Sequence, residues 1–310
     1  APPAGIRQLP SCAGRIRYIF AALRMVSGRR YDVVFCGHLH LAPLTLLIAR
    51  LLGAKIIMQM HGIEAWVRPS RLTVFAVEAA DLILCVSRYT RVCVLGWARL
   101  VPERVLVLPN TVDERFTPGD GSAPRAAWQL GEEKLLLTVG RMSSDERYKG
   151  HDRVIAVLSG LVAHGHDVIY CVFGEGDDVS RLVSLAREQG VADRVRFLGA
   201  ASYETLTSIY RMADIFVMPS TGEGFGIVFL EAMACGTPTL GLSVAGARDA
   251  LGDGALGVGV LVDGISTALE RMLEAPKPDG QILAAAVRAR FGRATFAAGV
   301  HGIVERLKDA

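Results

Sequence analysis

A chain of 310 residues, 51% hydrophobic and 21% charged, can bury a sizeable core as one large or two medium domains, which excludes an intrinsically disordered or collagen-like protein. A mean hydropathy of +0.34 raises the question of a membrane span, but the longest stretch without Asp, Glu, Lys or Arg, residues 33–49, contains Gly37, His38, His40 and Pro43 and falls short of the ~20 apolar residues a span needs. The net charge of +3 divides unevenly: residues 1–110 hold 14 Lys and Arg against 5 Asp and Glu, and the remaining 200 hold 20 against 26, so the first part suits an anionic surface.

The chain opens at Ala1 without an initiator Met or the n-region, h-region and cleavage site of a secretory signal, so a cytoplasmic protein is expected. Residues 14–27 predict a helix with Ile16, Ile19, Phe20, Leu23 and Val26 on one face and Arg15, Arg17 and Arg24 elsewhere; Arg29 and Arg30 follow, and no acid precedes Asp32. Such a basic amphipathic helix either lies on an anionic membrane surface or packs its stripe on its own sheet. Apolar runs of strand length then alternate with helical patterns, at 31–36, 55–60, 81–86 and 105–108, and again at 135–139, 168–173, 195–198, 215–218, 239–242 and 259–262. Strands apolar on both faces belong in parallel sheets covered by helices, so the fold class is α/β with two Rossmann-like doubly wound lobes.

Residues 109–127, rich in Pro, Gly, Asp and Ser, break this pattern and predict a linker. The division is a first lobe over 1–112, a linker over 113–127, a second lobe over 128–280, and two C-terminal helices over 281–310 that fold back across the hinge. The first lobe is short. A nucleotide-sheet lobe usually opens with a strand, a Gly-rich turn, a helix and a second strand, whereas only a helix precedes Tyr31, so the chain is either truncated or dispenses with that βαβ unit.

Cys12, Cys36, Cys85, Cys93, Cys171 and Cys235 form no C-x-x-C pair and several lie in apolar runs, which predicts buried, reduced thiols. His151, His164, His166 and His301 lack ligand spacing to any Cys or carboxylate pair, so no metal site is expected. The N-terminal arginines lack interleaved aromatics, which argues against nucleic acid as a partner.

The densest signal is E-G-F-G-I-V-F-L-E at 223–231. It follows a strand and a loop, and a helix is expected to start near Gly226, so a Gly-rich turn and a helix N-terminus stand at a strand's carboxyl end, an arrangement that binds anions. Gly224 and Gly226 let the backbone approach a ligand closely. Glu223 would face the cleft as an acceptor for hydroxyls, and Glu231, further along the helix, would reach a second hydroxyl-bearing part of the same ligand; the pair suits a sugar–diphosphate–ribose compound. The second signal is L-L-L-T-V-G-R-M-S-S-D-E-R-Y-K-G at 135–150, which puts Arg141 and Lys149 at the carboxyl end of the second lobe's first strand. Two cations there neutralise a diphosphate and stabilise it as a leaving group, Arg bidentate and Lys as a point charge. Arg147 competes with Lys149 for that role, and Lys149 is preferred. F-G-E-G-D at 173–177 leaves G-x-G-x-x-G incomplete and is not read as a dinucleotide fingerprint.

With F-G-E-G-D, V-R-F-L-G at 195–199 and A-D-I-F-V-M-P-S at 213–220, these runs resemble the retaining glycosyltransferases of family 4, of GT-B fold. The likeness covers nearly all of the second lobe and extends over the first through M-H-G at 60–62 and V-L-P-N-T-V-D at 107–113. It implies transfer of a hexose from a nucleoside diphosphate sugar to a glycan or lipid-linked acceptor in surface polysaccharide or glycolipid synthesis, with retention at the anomeric carbon, no cofactor and no catalytic metal. It also implies a peripheral position on the inner membrane face. Carried onto this chain, Arg141 and Lys149 would hold the diphosphate, Glu223 the sugar hydroxyls and Glu231 the ribose, with backbone groups of Gly224, Phe225, Gly226, Ile227 and Val228 lining the donor. His61 matches the first-lobe histidine beside the reacting centre, and residues 195–199 would border the base. The family's first-lobe Gly-rich loop has no counterpart here, and the interval from Arg141 to Lys149 is longer than in many relatives. Two other readings use the same residues: a nucleotide-sugar-binding protein that is non-catalytic or partner-dependent, and a nucleotide-sugar epimerase, against which stands the lack of a second acid–base group beside His61.

Overall fold

The structure, a computed structural model, describes residue 8 and residues 14–309. The first part runs α1 (Arg15–Val26), β1 (Val33–Cys36), α2 (Ala42–Leu52), β2 (Lys55–Met60), α3 (Ile63–Trp66), α4 (Arg71–Glu78), β3 (Leu82–Cys85), α5 (Arg88–Trp97) and β4 (Val105–Val107). The second runs α6 (Ser122–Ala127), β5 (Lys134–Val139), α7 (His151–Ala163), β6 (Val168–Phe173), α8 (Val179–Glu188), β7 (Val195–Phe197), α9 (Leu206–Met212), β8 (Ile215–Met218), α10 (Ile227–Ala234), β9 (Thr239–Leu242), α11 (Ala247–Ala250), β10 (Val258–Val260) and α12 (Ile265–Glu274), followed by α13 (Gly280–Phe291) and α14 (Arg293–Asp309). Each apolar run read as a strand forms one, and every strand pairing is parallel.

The first sheet has the order β1-β2-β3-β4. Right-handed crossovers that step always in one direction put α2, α4 and α5 on the same face. There Ile56, Met58 and Met60 of β2 and Ile83 and Cys85 of β3 meet Leu46, Ala76, Val77 and Val94 in one buried cluster. The opposite face is covered by the far end of the chain: Ile303 and Leu307 of α14 bury Ile57, Leu82, Leu84 and Leu108, and Lys55 Nζ donates to the Leu307 carbonyl at 2.6 Å. That cover stops short of β1, where Phe35 remains 54% exposed. Helix α1 does not bury its apolar stripe on the sheet either, since Ile16 and Phe20 are 70% and 68% exposed.

The second sheet has the order β10-β9-β8-β5-β6-β7, the doubly wound arrangement, with helices on both faces. The stretch read as a linker has structure of its own. Val112 and Phe116 are buried in the second lobe's core, and residues 122–127 form α6 with Pro124 in its first turn. The cause is tertiary: the Arg125 guanidinium donates to the Gly131 and Glu133 carbonyls and to Asp214, at 2.7, 2.5 and 3.2 Å, and pins the short helix to the sheet.

Cys36, Cys85, Cys171 and Cys235 are buried free thiols and Cys93 a half-buried one; Cys12 lies outside the described residues. Burial pushes the thiols of Cys85, Cys171 and Cys235 up to about 12, so all three stay protonated. No helix among the described residues is long and apolar enough to cross a membrane.

Candidate functional site

In the second sheet the strand order reverses between β5 and β8, and the loops leaving their carboxyl ends part to either side, which opens a crevice. The loop after β5 starts at Gly140 and Arg141 and passes through a 3-10 segment, Ser144–Lys149, into α7. The β6–α8 loop fixes its course. Met142 N donates to the Glu175 carbonyl at 2.9 Å, and Ser144 donates through N and Oγ to Asp177 at 2.8 and 2.6 Å. Arg147 turns away to Asp178, with Nε and a terminal nitrogen 3.0 and 2.8 Å from Oδ1; Arg181, and after it Arg147, hold that carboxyl below its ordinary range. The glycines of F-G-E-G-D serve this contact. A Cβ on Gly174 would strike the Gly140 carbonyl, and one on Gly176 the Met142 carbonyl.

With Arg147 committed to Asp178, Lys149 is the cation that faces the crevice. Its stem runs beside Gly140, only 12% of the side chain is exposed, and Nζ donates to Glu146 Oε2 at 2.7 Å. The other Glu146 oxygen accepts from Arg141, whose side chain is 76% exposed. Glu146 therefore joins the two cations. Sequence reasoning missed it because an acid two residues before Tyr148 carries no periodic signal and gains its role only from the 3-10 turn.

The β8 loop brings Glu223 to the same place. Thr221 N donates to the Tyr148 carbonyl at 2.9 Å, and Gly246 N to the Glu223 carbonyl at 2.9 Å, which anchor the loop on both sides. Glu223 Oε1 is buried without a hydrogen-bond partner. Burial raises its carboxyl above the ordinary value, with Ser220 and then Lys149 opposing the shift. Tyr148, beside it, is pushed up to about 12, chiefly by burial and then by the Glu223 charge. Beyond Glu223, Gly226 takes a left-handed conformation at φ +93° and caps α10, as the sequence predicts. Ile227 is exposed at that helix start and Val228 half-buried, whereas the Phe225 ring packs edge-to-face on Phe291 at 5.6 Å, so Phe225 can offer a ligand only its backbone. Glu231, one turn along, accepts from the Tyr210 hydroxyl at 2.7 Å, and burial raises its carboxyl too.

His61 approaches from the first lobe. Its Nε2 lies 2.9 Å from the Gly37 carbonyl, and because a carbonyl can only accept, Nε2 carries a proton there. Two glycines meet just beyond: a Cβ on Gly62 would strike Gly224 Cα, and one on Gly224 would strike the His61 carbonyl. The lobes also join at α5, where Arg88 donates to Asp249 through N and Nε at 2.6 and 2.5 Å and to Asp253 at 2.7 Å. The structure thus brings Arg141, Lys149 and Glu223 together, with His61 and Gly224 in contact across the crevice and Glu231 deeper along α10. Among the described residues no group of three or more His, Cys, Asp and Glu is arranged to hold a metal ion. A cavity of about 600 Å³ lies elsewhere, at the amino ends of β5, β8 and β9, lined by Lys134, Ile215 and Thr239 among others.

Residues 124–285 match the profile of the family described as "Glycosyl transferases group 1", and residues 2–116 that of "Glycosyltransferase Family 4". The chain is 36% identical over 215 residues to a D-inositol 3-phosphate glycosyltransferase of Geodermatophilus obscurus, a match that takes in 66% of this chain and 47% of that protein, so it spans about half the length of such relatives. It is 32% identical over 292 residues to a GDP-mannose-dependent alpha-(1-6)-phosphatidylinositol monomannoside mannosyltransferase of Mycolicibacterium smegmatis, covering 86% of this chain and 72% of the relative. Among solved structures, Anabaena HepE in complex with UDP superposes with a TM-score of 0.79 at 20% identity over 94% of this chain and 82% of the other, which shows a shared fold.

Proposed function

The chain belongs to the glycosyltransferases of group 1 and family 4, with the two-lobed GT-B fold, and on that premise we propose that it is a retaining hexosyltransferase that uses a nucleoside diphosphate sugar. The observation that carries the reading is the convergence of two cations and an unpartnered buried carboxylate oxygen at one crevice. Arg141 and Lys149 hold the diphosphate, and Glu223 Oε1 accepts from the sugar's hydroxyls. The main chain of Gly224 to Val228 lines the donor, and Glu231 bonds the ribose. The bond from the anomeric carbon to the diphosphate oxygen breaks, the acceptor oxygen bonds to the same face, and the acceptor proton passes to the departing diphosphate, whose added charge the two cations stabilise. No residue is asked to form a covalent intermediate, and His61 borders the reacting centre from the other lobe.

The acceptor is a glycan or a lipid-linked compound. Arg15, Arg17 and Arg24, beside the exposed Ile16 and Phe20, support docking of the first lobe on an anionic membrane. Cosedimentation with anionic vesicles, and little with neutral ones, is the expected result; equal binding to both would remove this docking mode. The donor is tested by turnover of UDP-, GDP- and ADP-hexoses. One of them should support transfer or slow hydrolysis, and Glu223→Ala should lower kcat/KM by about 10²–10³-fold. Equal rates for the variant and the wild type would remove Glu223 from the site.

A further inference from the structure

His151 is the first residue of α7, two positions after Lys149, and is 5% exposed. Its Nδ1 lies 3.3 Å from the Tyr170 hydroxyl on β6, that hydroxyl lies 2.8 Å from Thr138 Oγ1 on β5, and Thr138 Oγ1 is bonded to the Val217 carbonyl on β8. A carbonyl can only accept, so Thr138 donates to Val217. Its one proton is then spent, and Tyr170 must donate to Thr138. The tyrosine proton is spent in turn, so the imidazole must donate through Nδ1–H. This one-way chain fixes the tautomer and leaves Nε2 an acceptor, buried and without a partner.

The chain crosses the sheet at the point where the strand order reverses, and each link borders a loop of the crevice. Thr138 stands three residues before Arg141, His151 two after Lys149, and Val217 six before Glu223. We propose that His151, as the Nδ1–H tautomer, is a positioning residue that sets two loops, the one carrying Arg141 and Lys149 and the one carrying Glu223, in one register for the donor. The inference rests on the donor reading above. Burial pulls the imidazole down to about 4, with the Arg141 main chain opposing and the charges of Lys149, Asp152 and Asp178 acting more weakly, so the ring is neutral at pH 7 and the chain keeps its direction.

The test compares four variants of the full chain. Asn places an N–H where Nδ1 stands, Gln places one nearer Nε2, Leu removes both, and Tyr170→Phe cuts the next link. Kd values for UDP and GDP by calorimetry, donor KM and kcat, and melting temperatures are read together, with the His151 tautomer read from ring nitrogen shifts by NMR. His151→Leu, His151→Gln and Tyr170→Phe should weaken nucleoside diphosphate binding and raise donor KM by about tenfold, and His151→Asn should stay within about twofold of the wild type. A proton on Nε2 in the wild type would overturn the inference, as would Leu and Phe variants that melt lower yet bind with unchanged Kd. Kd for ADP is read alongside, and if the wild type bound none of UDP, GDP and ADP, the donor reading would fail and take the positioning role with it, while an Nδ1–H signal would still report the buried chain. Should His151→Leu not fold, Tyr170→Phe, which loses a single oxygen, decides the matter.

Discussion

Lys149→Met is expected to lower kcat for hexosyl transfer by about 10²–10³-fold, the cost of removing one preorganised charge from a leaving group. The ammonium is largely shielded from water and shares the Glu146 carboxylate with Arg141, so its charge acts in a medium that screens it poorly. Methionine keeps the stem that runs beside Gly140 and removes only the cation. The informative control is Arg147→Met. That guanidinium is spent on Asp178, so the variant should lose thermal stability while kcat stays within about threefold of the wild type. Steady-state kinetics on both variants separates the two neighbours, and a Lys149→Met enzyme with near-wild-type kcat would show that the diphosphate lies elsewhere.

Gly224→Ala should be nearly as damaging, for a mechanical reason. The new methyl group would collide with the His61 carbonyl and lie 3.1 Å from Gly62 Cα, so the backbone of one lobe must yield. Overpacking of this kind costs about 1–3 kcal/mol where it cannot relax. Here relaxation is available, because the lobes can part. They would do so at the place where His61 must stand against the reacting centre, and a displacement of about 1 Å there is worth about 10²-fold in rate. Activity should therefore fall much further than melting temperature. Retention of more than half the wild-type rate would show that the glycine contact does not set the catalytic geometry.

The central strands were legible because they are buried on both faces, as in the run V-I-Y-C-V-F, and the partly exposed edge strands β1 and β10 because their runs are still apolar. The E-x7-E run and the G-R…K loop were legible because each places charge and glycine at a strand's carboxyl end. What escaped notice depends on residues far apart in the chain. Arg88 and Asp249 are 161 residues apart, and neither carries a local sign of the other. Gly62 stood only within the M-H-G run and Gly224 as a residue that lets the backbone approach a ligand, and that the two face one another has no local sign. Helix α6 was hidden by a Pro- and Gly-rich neighbourhood whose propensities the Arg125 contacts override. The opening helix was legible as a helix, but which surface its apolar stripe meets was not, since periodicity reports a face and never its partner.

Ribosomes deliver a polypeptide from its amino end, and the packing of α14 on β2 and β3 sets that order against the order in which the parts can be completed. Ile57, Leu82 and Leu84 emerge some 200 residues before Ile303 and Leu307, the side chains that shield them. Throughout that interval Ile57, Leu82 and Leu84 lack the contacts with α14 that they have in the folded protein. The half synthesised first is finished last, because one face of its sheet waits for side chains that come more than 200 residues later.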